Sequence, residues 1–118
     1  MRVKAVRGAV QVENSAESIR DGVILLLDAI VKRNEIHEGD IVSVVFSQTK
    51  DLTAANPATA LRSAGYAGVP LFCTQEPDYA GSVPGILRVL ITFGTERATV
   101  EPVYLNGAER LRSDLFRS

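Results

Sequence analysis

The chain has 118 residues, and its 13 lysines and arginines nearly balance its 14 aspartates and glutamates to give a formal net charge of −1. This balance argues against polyanionic partners, such as nucleic acid or an anionic membrane, which bind proteins with a strong excess of positive charge. The single cysteine excludes an internal disulfide, the N-terminus lacks the apolar core of a signal peptide, and no apolar run approaches the roughly 20 residues that span a bilayer. We therefore expect one cytoplasmic domain over residues 1–118.

A strand and a long helix are predicted first. Residues 2–6, "RVKAV", alternate polar and apolar side chains and precede Arg7-Gly8, which predicts a half-buried strand ended by the glycine. Asn14 and Glu17 have the spacing of a capping box. An amphipathic helix of about five turns is expected after them, with an apolar face formed by Ile19, Val23, Leu26, Leu27, Ile30 and Val31.

A second strand and a short helix follow. Residues 37–40, "HEGD", indicate a turn, and residues 41–46, "IVSVVF", are apolar enough to predict a strand buried on both faces. After a polar stretch, Pro57 begins a short helix, with Asn56 as its cap and Gly65 near its C-terminal end.

Three further strands are expected in the second half of the chain. They are "VPLFC" at residues 69–73, "ILRVLITF" at residues 86–93 and "VEPVYL" at residues 100–105. Residues 81–85, "GSVPG", separate the first two and are expected to form a loop or a broken helical turn. Asn106-Gly107 then has the composition of a tight two-residue hairpin turn.

Arg88 needs an explanation beyond the fold because it interrupts an apolar strand, where a guanidinium must find an anionic or hydrogen-bonding partner. Two interpretations stay open, an ion pair inside the chain with Glu76 or another carboxylate and a contact to a ligand. Ten of the thirteen basic residues are arginines, whose planar guanidinium suits carboxylate or phosphate. A coding bias toward arginine gives the same count.

The other candidates have plainer interpretations as well. Arg7 suits a solvated strand end, Tyr104 a rim aromatic and Cys73 a small buried side chain, while His37 has no evident role. The sequence has no His or Cys pairs at metal spacing, no glycine-rich phosphate loop and no nucleophile elbow, which disfavours metalloenzymes, kinases and hydrolases. The remaining set suits the binding of a small polyanion without covalent attack.

Six segments, in order and with matching spacing, resemble the monofunctional bacterial chorismate mutases of the trimeric α/β type. They are "RGA" (7–9), "SQTKDL" (47–52), "PATALR" (57–62), "VPLFCTQE" (69–76), "GSVPGILRV" (81–89) and "VYLNGAERLRSDL" (103–115). The resemblance implies an α+β fold, a mixed β-sheet of about five strands with helices on one face, in a homotrimeric pseudo-α/β-barrel with active sites at subunit interfaces. It also implies an isomerase of phenylalanine and tyrosine biosynthesis, with chorismate and prephenate as partners.

The same resemblance assigns site residues. Arg88, Glu76 and Cys73 match catalytic positions. The matched substrate-binding positions are Arg7, Ala58, Arg62, Thr74, Tyr104 and Leu111. Asn56 and Thr59 also fall at binding positions, but the family commonly has phenylalanine and lysine there, so packing over the substrate ring and electrostatic capture are expected to differ.

The implied chemistry agrees with the missing motifs. The reaction is an intramolecular [3,3] rearrangement in which an ether C–O bond breaks as a C–C bond forms, so no nucleophile, metal or cofactor is expected. A protein can contribute a compact substrate conformer and a positive charge at the ether oxygen. The resemblance implies Arg88 at that oxygen, Arg7 with Tyr104 at the side-chain carboxylate, and Glu76 with Cys73 at the ring hydroxyl.

The alternative is a YjgF-like trimeric protein that binds a small carboxylate and has no mutase activity. That family shares a C-terminal strand motif containing arginine, which this sequence lacks, whereas "VYLNGAERLR" fits the mutases. Loss of the chorismate absorbance on addition of the protein distinguishes the two.

Overall fold

One mixed sheet with helices on one of its faces forms the fold. The computed structural model describes residues 2–116, with side chains through residue 112, so residues 1, 117 and 118 of the predicted domain lie outside the described residues. The strands are β1 (Arg2–Gln11), β2 (Ile41–Gln48), β3 (Leu71–Gln75), β4 (Ile86–Thr95) and β5 (Val103–Leu105). The helices are α1 (Ala16–Arg33) and α2 (Pro57–Ser63), and 3₁₀ segments occupy Glu38–Asp40 and Ala108–Phe116. The expected α+β class with a mixed sheet of five strands is confirmed over the described residues.

β4 is the central strand of the sheet, whose order is β3-β2-β4-β1-β5. It runs antiparallel to both of its neighbours, β1 and β2, whereas β3 pairs with β2 and β5 pairs with β1 in parallel. Gln48, the last residue of β2, lies between Gln75 at the end of β3 and Leu87 near the start of β4. The topology therefore brings the residues that follow β3 close to the beginning of β4.

α1 and α2 cover one face of the sheet and form the main core with it. The apolar face predicted for α1 is confirmed, since five of its six residues are fully buried and Val31 is partly buried against them. In the sheet, this core includes Val10, Val44, Phe46, Ile91 and Phe93. Full burial of one such side chain typically stabilises a fold by about 1.5–3 kcal/mol, so this interface is a main source of stability.

Gly8 does not end β1, contrary to the prediction, because the strand continues to Gln11. Gly8 lies opposite Val89 in the ladder. A Cβ atom on Gly8 would lie 2.7 Å from Ile30 Cδ1 and 2.8 Å from the Val103 carbonyl oxygen. The glycine therefore permits the close approach of α1 and β5 to the middle of β1.

The predicted capping box at Asn14 is wrong by one residue. Ser15 has extended backbone angles, and its side chain accepts a hydrogen bond from a backbone N–H of the first turn, so Ser15 is the N-cap of α1. The Oδ1 atom of Asn14 instead accepts hydrogen bonds from the backbone N–H groups of Thr53 and Ala54. Asn14 therefore ties the loop after β2 to the start of α1.

Strand boundaries differ from the predicted ones at several ends. β2 and β4 each extend two residues further than predicted. β3 and β5 begin later than predicted, at Leu71 and Val103, directly after Pro70 and Pro102. Because proline has no N–H for a ladder, each strand begins at the residue that follows it.

The predicted hairpin at Asn106-Gly107 is also wrong. Both residues have positive φ, 55° and 96°, as a tight turn of this composition requires. The chain then continues into the 3₁₀ segment Ala108–Phe116 rather than into a returning strand. Ala108 is fully buried against Ile86 and Tyr104, so apolar burial directs this part of the chain.

The strands expose apolar side chains on the surface that α1 and α2 leave uncovered. Val3, Val42, Phe72 and Leu90 are between 45% and 66% exposed. Val42 belongs to β2, so the predicted burial of this strand on both faces does not occur within one chain. Among the described residues, no helix combines the length and apolar character needed to cross a membrane.

Candidate active site

Arg88 and Glu76 form a charged centre at the end of the sheet. Arg88 is the third residue of β4, and Glu76 follows β3 directly. The backbone N–H of Glu76 donates to the Gln48 carbonyl oxygen at 2.8 Å, which fixes Glu76 against the end of β2. Arg88 Nε lies 3.1 Å from Glu76 Oε1, and the two side chains are 36% and 16% exposed. The internal ion pair that the sequence left open is therefore present.

The guanidinium of Arg88 still has hydrogen-bonding capacity. Its Nε atom is buried and has no hydrogen-bond partner among the described residues, because the N–H direction does not meet the nearby carboxylate. A buried donor without a hydrogen bond costs about 1–3 kcal/mol, and more when it is charged. Native proteins keep few such groups, and they commonly do so where a ligand or a reacting atom completes the bonding.

Arg7 and Tyr104 complete a cavity of about 230 Å³ around the charged centre. Tyr104 is almost fully buried and lies beside Ala9 in the β1–β5 register. Arg7 is exposed and lies opposite Leu90 in the β1–β4 register. With two arginines against one glutamate, the cavity has an excess of positive charge and suits a small anion.

Leu111 lies at the edge of the same centre. It lines a smaller space of about 50 Å³ together with Glu76, Arg88 and the loop between β3 and β4. It also packs against the buried cluster that contains Ile86 and Tyr104. The predicted lining position therefore borders the space at the charged centre from the C-terminal segment.

Five predicted site residues lie in or beside α2, and we call them the α2 group: Asn56, Ala58, Thr59, Arg62 and Cys73. Asn56 Oδ1 accepts hydrogen bonds from the backbone N–H groups of Ala58 and Thr59, so it caps α2 as predicted. It also accepts a hydrogen bond from Cys73 Sγ at 3.4 Å. Ala58 is buried in the main core, whereas Thr59 and Arg62 are exposed. Asn56 thus connects the helix cap to the thiol.

Cys73 and Glu76 do not share a cavity within one chain. Cys73 pairs with Phe46 in the β2–β3 register and contacts the main core under the helices. Side chains alternate along a strand, so Phe72 and Thr74 face the opposite side, and Thr74 Oγ1 donates to the Phe46 carbonyl oxygen at 3.0 Å. Neither cavity at the charged centre is lined by Thr74 or by the α2 group. One chain therefore brings together Arg7, Glu76, Arg88, Tyr104 and Leu111 and leaves the other predicted residues apart.

The sequence analysis missed Val45, Ser47 and Leu90, which also line the cavity. Ser47 lies beside Arg88 in the β2–β4 register. The signal in the sequence was this serine, which lies two positions after Val45 in an otherwise apolar strand and so shares a face of the strand with it. It could not be used without the register, because only the register pairs this face of β2 with Arg88.

A separate depression of about 370 Å³ lies at the N-terminus of α1 and is lined by acidic residues that include Glu13, Glu17 and Asp21. None of the predicted site residues lines it. Within residues 2–116, no group of three or more His, Cys, Asp or Glu side chains is placed to hold a metal ion. The charged centre is therefore the candidate active site.

The fold and the site together define a class, an α+β protein with a mixed sheet that holds a paired, incompletely bonded arginine in a cavity suited to a small anion. The chain belongs to the chorismate mutase type I family, because the model of that family matches residues 3–115. As a member of this family it is an isomerase.

Individual relatives agree with the family assignment. A chorismate mutase, AroH, from Thermus thermophilus is 38% identical over 117 residues, which cover 96% of this chain and 96% of the relative. AroH from Bacillus subtilis is 35% identical over 119 residues, covering 98% of this chain and 94% of the relative. The structure of a chorismate mutase from Clostridium thermocellum superposes with a TM-score of 0.87 at 38% identity, covering 91% of this chain and 98% of that one. These matches give no support to the YjgF-like alternative.

Proposed function

We propose that the chain converts chorismate to prephenate at the charged centre, with Arg88 as the principal catalytic charge. The observation that carries this proposal is the buried Arg88 Nε atom, which has Glu76 at 3.1 Å and no hydrogen bond. A donor that is already desolvated and held in place costs little reorganisation when negative charge develops beside it.

The rearrangement consumes no group of the protein. The ether C–O bond of the substrate breaks, a C–C bond forms within the same molecule, and no proton or electron is exchanged with the protein. The ether oxygen is nearly neutral in the bound substrate and becomes markedly negative in the transition state. An arginine at that oxygen therefore binds the transition state more tightly than the substrate, which is the condition for raising kcat.

The remaining residues of the cavity are proposed to hold the reactive conformer. Arg7 binds the side-chain carboxylate of the substrate with help from Tyr104, and both line the cavity. Glu76 binds the ring hydroxyl and opposes the positive charge that builds on the ring. Arg88, paired with Glu76 when the site is empty, then meets the ether oxygen. Holding the reacting carbons close in a compact conformer raises the rate, because the entropy cost of ordering them is met by substrate binding before the reaction step.

We further propose that the chain is a homotrimer in which the α2 group of one subunit completes the site of its neighbour. The support is the separation described above, since the α2 group and the charged centre do not share a cavity in one chain. The exposed apolar side chains of the strands, Phe72 at 64% and Leu90 at 45%, also favour a partner that covers them. Cys73, Thr74, Asn56 and the other α2 residues would then contact the substrate across the interface.

Subunit mixing tests the shared site. Arg88→Ala impairs the charged centre, and Arg62→Glu impairs the α2 group of a different site in the same subunit. The two inactive variants are unfolded and refolded together in equal amounts. If trimers then form at random, about a quarter of all sites would combine an intact charged centre with an intact α2 group. Recovery of activity toward that fraction supports the interface. Activity no higher than that of the separate variants contradicts it, because every chain then carries one defect in its own site.

The activity itself is tested by following chorismate absorbance in the presence of the wild-type protein, with prephenate identified as the product. Light scattering at micromolar concentration tests the trimer, and a monomer mass would contradict it. The role in phenylalanine and tyrosine biosynthesis, the location in the cytoplasm and the single domain over residues 1–118 stay predictions. The location is checked by fractionation of the native cells.

A further inference from the structure

Residues 48–51, which we call the clamp, connect the two segments that carry the charged centre. Gln48 is the last residue of β2, and residues 49–51 follow it. β2 lies between β3 and β4 in the sheet. On the β3 side, the Gln48 carbonyl accepts from Glu76 N at 2.8 Å, and Lys50 Nζ contacts Asp78 Oδ2 at 2.7 Å. The clamp therefore holds Glu76 and the residue two positions beyond it.

The clamp makes a second set of contacts on the β4 side. Thr49 N donates to the Ile86 carbonyl at 3.1 Å, and Ile86 N donates back to Thr49 Oγ1 at 3.1 Å. Asp51 Oδ2 accepts from Gly85 N at 3.0 Å. Ile86 and Gly85 lie two and three residues before Arg88, so the clamp fixes the point at which the chain enters the catalytic strand.

Gly85 is the least replaceable residue at this point. It is buried and has a φ of +73°, and a Cβ atom on it would lie 2.7 Å from the Val12 carbonyl oxygen. Its own carbonyl accepts from Val12 N at 2.8 Å. Val12 therefore holds the carbonyl side of Gly85, and the Asp51 carboxylate holds its N–H side. Both restraints matter because the backbone of a glycine rotates more freely than that of other residues.

We propose that Asp51 is a positioning residue for Arg88, which acts by anchoring Gly85 and thereby sets the guanidinium against Glu76 and the substrate. This inference rests on the proposed role of Arg88. Without the carboxylate, Gly85 N becomes a part-buried donor without a partner in the chain, and the backbone loses its restraint at Gly85, directly before the paired residues that lead to Arg88. The rest of β4 stays paired with β1 and β2 along its length, so the shift stays local.

A local shift of the arginine has a specific kinetic signature. A displacement of about 1 Å of a catalytic group can cost about 10²-fold in rate. The effect falls on kcat, because Arg88 meets charge that develops only in the transition state, whereas ground-state binding through Arg7 and Tyr104 is retained. Loss of general stability alone does not lower the kcat of the folded enzyme.

The test compares Asp51→Ala with Asp51→Asn in the full-length protein, with chorismate as substrate. We expect Asp51→Ala to lower kcat by at least about tenfold while KM stays within about threefold of wild type. Asp51→Asn keeps a side-chain oxygen that accepts from Gly85 N, so it should recover kcat to within about threefold of wild type.

Ser15→Ala is the matched control, because it also removes one side-chain acceptor of a backbone N–H, that of Ser18 at 3.0 Å, at the start of α1. It should lower the urea midpoint of unfolding and leave kcat unchanged. A fall in kcat for Ser15→Ala equal to that for Asp51→Ala would overturn the proposal, as would an Asp51→Ala enzyme with wild-type kcat.

Two further variants keep the result decisive. If Asp51→Ala does not fold, Asp51→Ser replaces it, because the serine side chain is one atom shorter and does not reach Gly85 N, and an unchanged kcat in this variant overturns the proposal. Arg88→Ala is measured in the same assay. If Arg88→Ala is inactive and Asp51→Ala is normal, only the positioning role fails. If Arg88→Ala is itself normal, the proposed role of Arg88 fails, and the clamp proposal fails with it.

Discussion

The two faces of the sheet differ in how completely their side chains find partners within one chain. On the face covered by α1 and α2, Leu26, Ile30 and Phe46 are buried among apolar neighbours. On the open face, Arg88 keeps an unbonded donor and Leu90 remains 45% exposed. The covered face therefore provides stability, and we propose that the open face keeps unsatisfied groups for the substrate and for neighbouring subunits.

The polar groups of the two faces make the same contrast. Asn34 is fully buried near the C-terminus of α1, and its amide donates to the carbonyl oxygens of Ile30 and Glu101 while accepting from Glu101 N. Every part of that amide is used within the chain. Arg88, by contrast, lies beside Glu76, but its buried Nε atom makes no hydrogen bond to any of the described residues. A buried polar group with all its bonds made supports the fold, and one with a bond missing points to a ligand.

The largest expected effect is on the open face. Arg88→Ala should lower kcat by about 10²- to 10³-fold or more, since it removes a full charge from a site where one donor alone contributes this much. Arg88→Lys keeps the charge and loses the planar guanidinium, so it should fall between wild type and Arg88→Ala. Steady-state kinetics with chorismate and circular dichroism measure the two properties. A folded Arg88→Ala enzyme with a kcat within about threefold of wild type contradicts the contrast between the faces.

On the covered face, Leu26→Ala should act in the opposite way. Leu26 is fully buried in the main core, and removing such a side chain typically lowers the free energy of unfolding by about 2–5 kcal/mol. The kcat per folded molecule should be unchanged, because Leu26 lines neither cavity at the charged centre. Urea unfolding followed by circular dichroism gives the stability. A large loss of kcat without a loss of stability would show that the two faces are not separate in function.

Glu76→Gln sharpens the comparison within the open face. The amide keeps a hydrogen bond to the ring hydroxyl but cannot oppose positive charge on the ring, so kcat should fall by about 10- to 100-fold while the fold is retained. Cys73→Ala should have a milder effect, since the thiol is a weak hydrogen-bonding group. Wild-type turnover by Glu76→Gln would reduce Glu76 to a structural partner of Arg88.

The smallest effect is expected for Tyr66, which is packed against the covered face. Burial, with a smaller contribution from Asp28, raises the pKa of the Tyr66 hydroxyl above its usual value of 10.0. The folded state thus holds this proton more tightly than the unfolded state, so the related stability is complete below pH 10 and is lost as the pH rises through the raised pKa. Tyr66→Phe should therefore lose less stability than wild type between pH 9 and pH 11, measured by urea unfolding. Equal losses in the two proteins would contradict the assignment.

Much of the site could be read from the sequence because its chemistry is carried by unusual residues. Arg88 stands out in an apolar strand, so an ion pair with Glu76 or another carboxylate was one of two interpretations of the sequence, and the structure pairs Arg88 with Glu76. The α1 face and the Asn56 cap also followed from local patterns, and the structure confirms both. The helix face and the cap depend on residues that are close in the sequence, so the sequence alone is enough to predict them.

The features that the sequence could not determine all depend on contacts between distant residues. Gly8 reads as a strand end, but it lies in the middle of β1 because α1 and β5 approach it there. Asn106-Gly107 reads as a hairpin, but burial of Ala108 directs the chain elsewhere. The role of Ser47 required the strand register.

The sequence by itself determined the α+β composition and the apolar face of α1, because periodicity is a local property, and it marked Arg88 as a charge that needs a partner. Only the tertiary structure decided the strand order, which brings Glu76 and Arg88 to opposite sides of the end of β2. It also decided that Asp51 reaches Gly85, 34 residues further along the chain. The physical reason is that hydrogen bonds and packing act through space, and the folded backbone alone sets which distant residues share that space.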